Sequence, residues 1–245
     1  MTARPAAGNR WGFPEALGGF AAGLVLASVA ASLAGSATGF RAGPGRPLPV
    51  DVIVADLAGL WVGLVGAALV ASGRHGSSRL SLRGLDRDFG LRIAGWRDLV
   101  GGAAVGLACQ YVLIPLVYLP FEGIDPSLRR QLGRPAHTDT AAAHGLGPVL
   151  ALVVVLVVGA PLVEELFFRG LVLRSLLART PAPVAIVVSA VLFGLAHFEA
   201  VQFAGLALFG AVLGALAWRT GRLAPSMAAH AAFNAAAVAA VVHLH

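Results

Sequence analysis

Residues 151–177 read ALVVVLVVGAPLVEELFFRGLVLRSLL, a run long and apolar enough to cross a membrane as one helix. Three ionisable residues lie inside this run, Glu164, Glu165 and Arg169, ahead of Arg174 near its end. A charged side chain at the centre of a bilayer costs about 2.5–3.5 kcal/mol on insertion scales, so such residues are rare there and indicate function. The stretch therefore predicts a membrane helix that carries part of a functional site.

The composition of the whole chain supports a membrane protein. Hydrophobic residues make up 58% of the 245 residues and charged residues only 12%, whereas soluble domains have about 45–50% and about 25%. All 18 basic residues are arginine and the net charge is +6; in a membrane protein this indicates arginines gathered on one side of the bilayer rather than a nucleic-acid partner. The single cysteine, Cys109, excludes an intramolecular disulfide and a cysteine-based metal site.

The predicted fold is all-α: a polytopic transmembrane helical bundle with about seven spans, between six and eight. The predicted spans are 14–36, 49–72, 97–119, 148–177, 183–198, 201–218 and 225–243. Residues 1–145 are predicted to form about three N-terminal transmembrane helices with their loops, and residues 146–245 the helical core that carries the polar motifs. Four pairs of glycines spaced by four predict helix–helix contact faces: Gly19/Gly23, Gly59/Gly63, Gly102/Gly106 and Gly210/Gly214.

The distribution of arginine predicts the orientation. With a cytoplasmic N-terminus and seven spans, 13 arginines fall on the inside and five on the outside, which the positive-inside rule favours. The expected location is the cell membrane, with the N-terminus cytoplasmic. Residues 1–36 could instead be a cleaved signal, because Arg4 and Arg10 precede an apolar stretch that ends in SLAGSA.

The two adjacent glutamates are expected to have different roles. Glu165 and Arg169 are four residues apart with the acid first, which is the favourable order for a helical ion pair. Glu164 is rotated from Glu165 by about 100° and faces another direction. The pattern therefore predicts one structural acid held by arginine and one free carboxylate that could act as a general base or acid.

Two other acids stand near the start of the second predicted span. Asp51 and Asp56 are expected to stabilise the N-terminus of that helix, where a negative charge is favourable. Asp56 could instead be a second partner for Arg169.

Two later segments supply further polar groups. Glu164 lies 16 residues before Thr180 and His197 lies 17 residues after it, so two antiparallel helices would place both about 24–26 Å from that loop. His230 and Asn234 are four residues apart, hence on one helix face, and both can donate hydrogen bonds to an oxyanion. Counted from Arg222, however, these two lie only about 12 and 18 Å deep, so tilt, a kink or a re-entrant loop is needed to bring them to Glu164.

These three segments resemble the CPBP intramembrane proteases, a family that includes the CAAX prenyl endopeptidases and many bacterial homologues. The family pattern is EExxxR, FxxxH and HxxxN, each on a membrane helix. The corresponding residues here are Glu164-Glu165-Leu-Phe-Phe-Arg169, Phe193-Gly-Leu-Ala-His197 and His230-Ala-Ala-Phe-Asn234. The resemblance covers about residues 148–240.

The resemblance implies a glutamate-type endopeptidase without metal or other cofactor. Glu164 and His197 would activate the attacking water, and His230 and Asn234 would stabilise the oxyanion. Glu165, Arg169 and Phe193 would shape the site. A zinc site made from two glutamates and two histidines remains the chemical alternative, although no HExxH motif is present.

The expected partners are the lipid bilayer and a membrane-associated protein or peptide substrate. Nothing in the sequence selects an isoprenoid. Two other functions remain open: a non-proteolytic scaffold or bacteriocin-immunity protein with the same fold, and a proton-coupled or small-solute transporter that uses the same buried carboxylates.

Overall fold

The computed structural model describes residues 12–41, 43, 46–75, 82–125, 127–128, 131–133 and 145–242. The regular secondary structure of these residues is helical throughout. The main helices are α1 (Phe13–Thr38), α2 (Val50–His75), α3 (Leu82–Phe89), α4 (Trp96–Glu122), α5 (Leu146–Leu177), α6 (Ala182–Leu195), α7 (Phe203–Thr220) and α8 (Ala224–Val242).

Each of the seven predicted spans coincides with one of these helices, and α3 is an additional short helix between the second and third. Five helices in the described part of the chain are long and apolar enough to cross a membrane: α1, α2, α4, α5 and α7. Helix α6 is apolar but shorter, with 14 residues. The chain is therefore a multi-pass membrane protein with an all-helical bundle fold, as its composition predicted.

The glycine pairs lie at helix–helix contacts, as predicted. A Cβ built on Gly63 of α2 would come within 2.3 Å of the Cα of Gly23 in α1. In the same way, a Cβ on Gly106 of α4 would come within 2.0 Å of the carbonyl oxygen of Ala229 in α8. These backbones approach each other so closely because the glycine has no side chain at the contact.

A substitution in the α1–α2 contact tests this packing. We expect Gly63→Ala to lower the free energy of unfolding by about 1–3 kcal/mol, because the added methyl group must push the two backbones apart. Gly66 lies on the same helix, and a Cβ added there would meet nothing within 4 Å, so Gly66→Ala serves as the control. Unfolding of both variants in detergent measures the difference; equal stability would contradict the close packing.

Helix α5 is not a uniform α-helix. Two segments, Val154–Gly159 and Leu166–Leu173, have π-helical hydrogen bonding and flank the α-helical turns Ala160–Glu165. A π turn changes the hydrogen bonding of the backbone locally and is frequent at functional sites. The glutamate pair therefore stands between two irregular segments of one membrane helix.

The loops that connect α2 to α4, α5 to α6 and α7 to α8 meet at one end of the bundle. Arg174 of α5 donates to the carbonyls of Asp88 (2.9 Å) and Gly221 (3.3 Å). Arg222, between α7 and α8, forms an ion pair with Asp98 of α4 at 2.7 Å. The connections that carry these arginines thus meet at one end of the bundle, while the orientation stays a prediction; Arg4, Arg10, Arg79, Arg129, Arg130 and Arg134 lie outside the described residues.

Helix α8 begins at a buried turn, whereas the connection before α6 is exposed. Residues 223–226 are buried, and the backbone N–H of Leu223 donates to the carbonyl of Gly90 at 3.0 Å. The connection between α5 and α6 is exposed at Ala178 and Arg179. His230 nevertheless lies 3.9 Å from Glu164, so counting residues from Arg222 did not give the relative position of these two side chains.

The two predicted parts of the chain share one hydrophobic core. Ala16, Leu64 and Phe89 belong to the same buried cluster as Phe167 and Phe193. The Phe20 ring of α1 stacks on Phe167 of α5 with 6.3 Å between their centroids. The N-terminal helices therefore support the helix that carries the glutamates, while the boundary near residue 145 stays a prediction.

Candidate active site

Glu165 and Arg169 form the predicted ion pair in the centre of the protein. Nη1 of Arg169 donates to Oε1 of Glu165 at 2.8 Å, and the side chains of Arg169 and Glu165 are 1% and 0% exposed. Nη2 of Arg169 donates to the carbonyl of Gly210 in α7 at 3.1 Å, and the guanidinium lies 4.4 Å from the ring centroid of Phe193. The arginine therefore links α5, α6 and α7. Asp56, the alternative partner considered from the sequence, lines a different part of the protein.

His230 lies between the two glutamates. Its Nδ1 is 3.1 Å from Oε1 of Glu165, and its Nε2 is 3.9 Å from Oε2 of Glu164. The imidazole is buried and makes edge-to-face contacts with Phe193 and Phe209, at centroid distances of 5.7 and 5.5 Å. The geometry fits an Nδ1–H donated to Glu165, which leaves Nε2 directed at Glu164.

His197 approaches Glu164 from the end of α6. It stands in the turn that follows Leu195, and its Nε2 is 3.9 Å from Oε2 of Glu164. Its Nδ1 lies 2.8 Å from the carbonyl oxygen of Phe193, which can only accept, so Nδ1 carries the proton and Nε2 is the acceptor in the neutral ring. The two side chains therefore lie close together, as expected from their similar distances from the α5–α6 loop.

Oε2 of Glu164 is the focus of the site. The atom is buried and has no hydrogen-bond partner among the residues that the structure describes, yet it is 3.9 Å from Nε2 of both His197 and His230. A polar contact at this distance is too long for a direct hydrogen bond and suits a bridging water. The side chains of Glu164 and His197 remain 17% and 30% exposed, although Oε2 itself is buried.

Asn234 is held differently from the other predicted residues. Its Nδ2 donates at 2.8 Å to the carbonyl of Leu156, in the first π segment of α5. It lies one turn beyond His230 on α8, on the same face. One amide N–H is used by Leu156, and a second N–H remains on the same nitrogen.

Several contacts of the site were not found from the sequence. Two are backbone carbonyls, those of Gly210 and Leu156, whose roles depend on tertiary packing and leave no pattern in the residue types. Phe209 packs on His230, but the sequence does not distinguish it from the other apolar residues of α7. Phe198, which follows His197, has φ +54°, the one positive φ of a non-glycine residue in the described ranges. Such backbone strain is frequent beside functional groups.

The polar groups of the site converge on Glu164. Within the described ranges, no group of three or more histidine, cysteine, aspartate or glutamate side chains is arranged to hold a metal ion. Glu165 Oε1 is shared by Arg169 and His230, and His197 Nδ1 faces the carbonyl of Phe193. The atoms that remain available converge on one small volume beside Glu164 Oε2, where a water can be held and deprotonated.

Comparison with known proteins identifies the region that carries this site. A family model described as "Type II CAAX prenyl endopeptidase Rce1-like" matches residues 146–236. The match includes all seven predicted site residues. No curated protein and no solved structure matches the chain. Residues 146–236 of this multi-pass membrane protein are therefore similar to the Rce1-like type II CAAX prenyl endopeptidases, which agrees with the resemblance of its three motifs.

Proposed function

We propose that the protein is an intramembrane endopeptidase that hydrolyses peptide bonds of membrane-associated substrates with a water activated by Glu164 and His197. The observation that carries the proposal is the position of Glu164 Oε2, which is buried, has no direct hydrogen-bond partner among the described residues and is 3.9 Å from two imidazole nitrogens. The family match supports peptide-bond hydrolysis as the reaction.

The first step is attack of the water on the substrate carbonyl. A water between Glu164 and His197 donates one hydrogen bond to Oε2 and one to Nε2, because both atoms are acceptors. As its oxygen bonds to the carbonyl carbon, one proton passes to Glu164. The hydrogen-bonded partner of Arg169 is Glu165, at 2.8 Å, which leaves Oε2 of Glu164 to the water.

The second step is stabilisation and collapse of the tetrahedral intermediate. Nε2 of a protonated His230 and the second amide N–H of Asn234 donate to the oxyanion. With His230 protonated, two carboxylates, one guanidinium and one imidazolium sum to zero net charge, which suits a buried site. The proton on Glu164 then passes to the leaving amine as the carbon–nitrogen bond breaks, which regenerates the carboxylate.

Glu165, Arg169 and Phe193 act as positioning residues in this mechanism. Glu165 holds Nδ1 of His230, Arg169 holds Glu165, and Phe193 contacts both imidazole rings and supplies the carbonyl that orients His197. Rigid support of this kind keeps reacting groups within the small tolerances that catalysis needs. Metal independence, location in the cell membrane and a cytoplasmic N-terminus are parts of the same proposal.

Cleavage of a peptide library by the purified protein in liposomes tests the proposal. We expect wild type to cut membrane-associated peptides, His197→Ala to lower the rate by about 10²-fold or more, and chelators to have no effect. Mass spectrometry of the products identifies the bond that is cut. Loss of activity on chelation with recovery on adding zinc would instead establish a metalloprotease.

The same experiment separates the two other functions. A scaffold or immunity protein predicts no cleavage by wild type and a biological function that survives Glu164→Ala. A transporter predicts flux of a solute or proton across the liposome membrane that depends on Glu164. The protease predicts cleavage without flux and without a gradient.

A further inference from the structure

A cavity of about 310 Å³ lies between α1, α2 and α5, outside the cluster of histidines and glutamates. Its lining is apolar apart from one carboxylate, that of Asp56 in α2. The apolar residues that line it include Leu48, Val52, Ile53, Leu57 and Leu156. The volume is at the lower end of the range of ligand pockets and is large enough for one long side chain.

Asp56 has no hydrogen bond and no ion pair within the parts of the chain that the structure describes. It stands six residues after Val50, about 9 Å into a helix that crosses the membrane. Arg46, the cation nearest to it in the N-terminal direction of the sequence, donates to the carbonyl of Arg41 and lies over the ring of Phe40. A carboxylate at such a depth is costly unless it meets a positive group. The cavity therefore combines an apolar wall with one unmatched negative charge.

The cavity and the active site share one wall. Leu156 lines the cavity, and the carbonyl of the same residue accepts the hydrogen bond from Asn234. Leu156 and Glu164 are eight residues apart on α5, which corresponds to about 12 Å along the helix. An extended peptide advances about 3.3 Å per residue, so a substrate cut beside Glu164 reaches the level of Leu156 with its third or fourth residue from the scissile bond.

We propose that this cavity is a specificity subsite that binds a lysine or arginine side chain of the substrate, three or four residues from the cleaved bond. The aliphatic part of such a side chain packs against Leu57 and Leu156, and its cationic end pairs with Asp56, which matches both properties of the cavity. The inference rests on the proposed endopeptidase function and adds to it the class of residue that the substrate carries.

A set of quenched fluorescent peptides tests the subsite. The peptides share one apolar sequence with a known cleavage site, and a single lysine or its uncharged counterpart norleucine is moved through the four positions on each side. We expect lysine to raise kcat/KM by about tenfold or more at position three or four on one side, mainly through KM. Asp56→Asn removes this preference, whereas Asp51→Asn, an exposed acid on the same helix outside the cavity, keeps it.

A charge exchange makes the assignment specific. Asp56→Lys should reverse the preference, so that a glutamate peptide is cut better than the lysine peptide. The subsite is overturned if wild type cuts lysine and norleucine peptides equally at every position. It is also overturned if the lysine preference survives Asp56→Asn. The endopeptidase function stands in either case.

Binding without cleavage separates the two proposals. In the Glu164→Gln background, fluorescence polarisation measures the affinity for the labelled lysine and norleucine peptides with Asp56 present or replaced by asparagine. Tenfold tighter binding of the lysine peptide supports the subsite if this preference is lost with Asp56→Asn. The result counts even if wild type cuts no peptide. In that case the protease function fails and the subsite stands. Equal affinities in all four combinations overturn the subsite.

Discussion

Glu164→Gln lowers kcat for peptide cleavage by about 10²–10⁴-fold, the range expected when a general base is removed. The substitution keeps the size of the side chain and its ability to hold a water, but an amide cannot take the proton of that water. Oε2 of Glu164 has no direct hydrogen bond to lose among the described residues, so folding should be nearly unaffected. We expect KM to change little, because the lost interaction forms in the transition state.

The measurement is single-substrate kinetics in liposomes, with unfolding of both proteins followed in detergent. Glu199→Gln is the matched control, because Glu199 is an exposed acid only two residues after His197; this variant should cleave at the wild-type rate. A Glu164→Gln protein that retains more than about one tenth of wild-type kcat would show that another group activates the water.

Arg169→Met lowers the free energy of unfolding by about 3–5 kcal/mol, the usual cost of leaving one member of a buried ion pair without its partner. Glu165 is fully buried and would lose the guanidinium that lies 2.8 Å from its carboxylate. The variant also loses the hydrogen bond to Gly210 that joins α5 to α7. This is the largest stability effect that we expect from a single substitution in the site.

A double variant distinguishes the ion pair from simple packing. Glu165→Gln with Arg169→Met removes both charges, so its loss of stability should be smaller than the sum of the two single losses, with a coupling of about 1–3 kcal/mol. Arg219→Met, at an exposed position near the end of α7, should change stability by less than about 0.5 kcal/mol. If the stability loss of the double variant equals the sum of the two single losses, the ion pair contributes no coupling energy to folding.

The local parts of the site could be predicted because helical geometry sets them. Glu165 and Arg169 are one turn apart, so their pairing needs only a helix, and the structure has it at 2.8 Å. The meeting of Glu164 and His197 followed from two antiparallel helices of known rise joined by a short loop. Their chemical roles, and those of His230 and Asn234, stay predictions that the variants above test.

The position of His230 could not be derived in the same way. Counting residues from Arg222 did not bring it to Glu164, yet the two side chains are 3.9 Å apart, because the start of α8 is positioned by distant contacts such as that of Leu223 with Gly90. The π segments of α5 are also invisible to a pattern of apolar residues, although one of them supplies the carbonyl that holds Asn234. Both features come from contacts between residues far apart in the chain.

The amino-acid sequence by itself determined the class of the fold, the helices and the identity of the charged residues. Hydropathy and helical periodicity act over about 20 neighbouring residues and need no knowledge of the rest of the molecule. Only the tertiary structure decided which atoms meet: His230 between two glutamates, Gly210 on Arg169, and Asp56 in a cavity away from the arginine. These distances depend on how closely the helices pack and at what depth each begins, which is a property of the whole bundle.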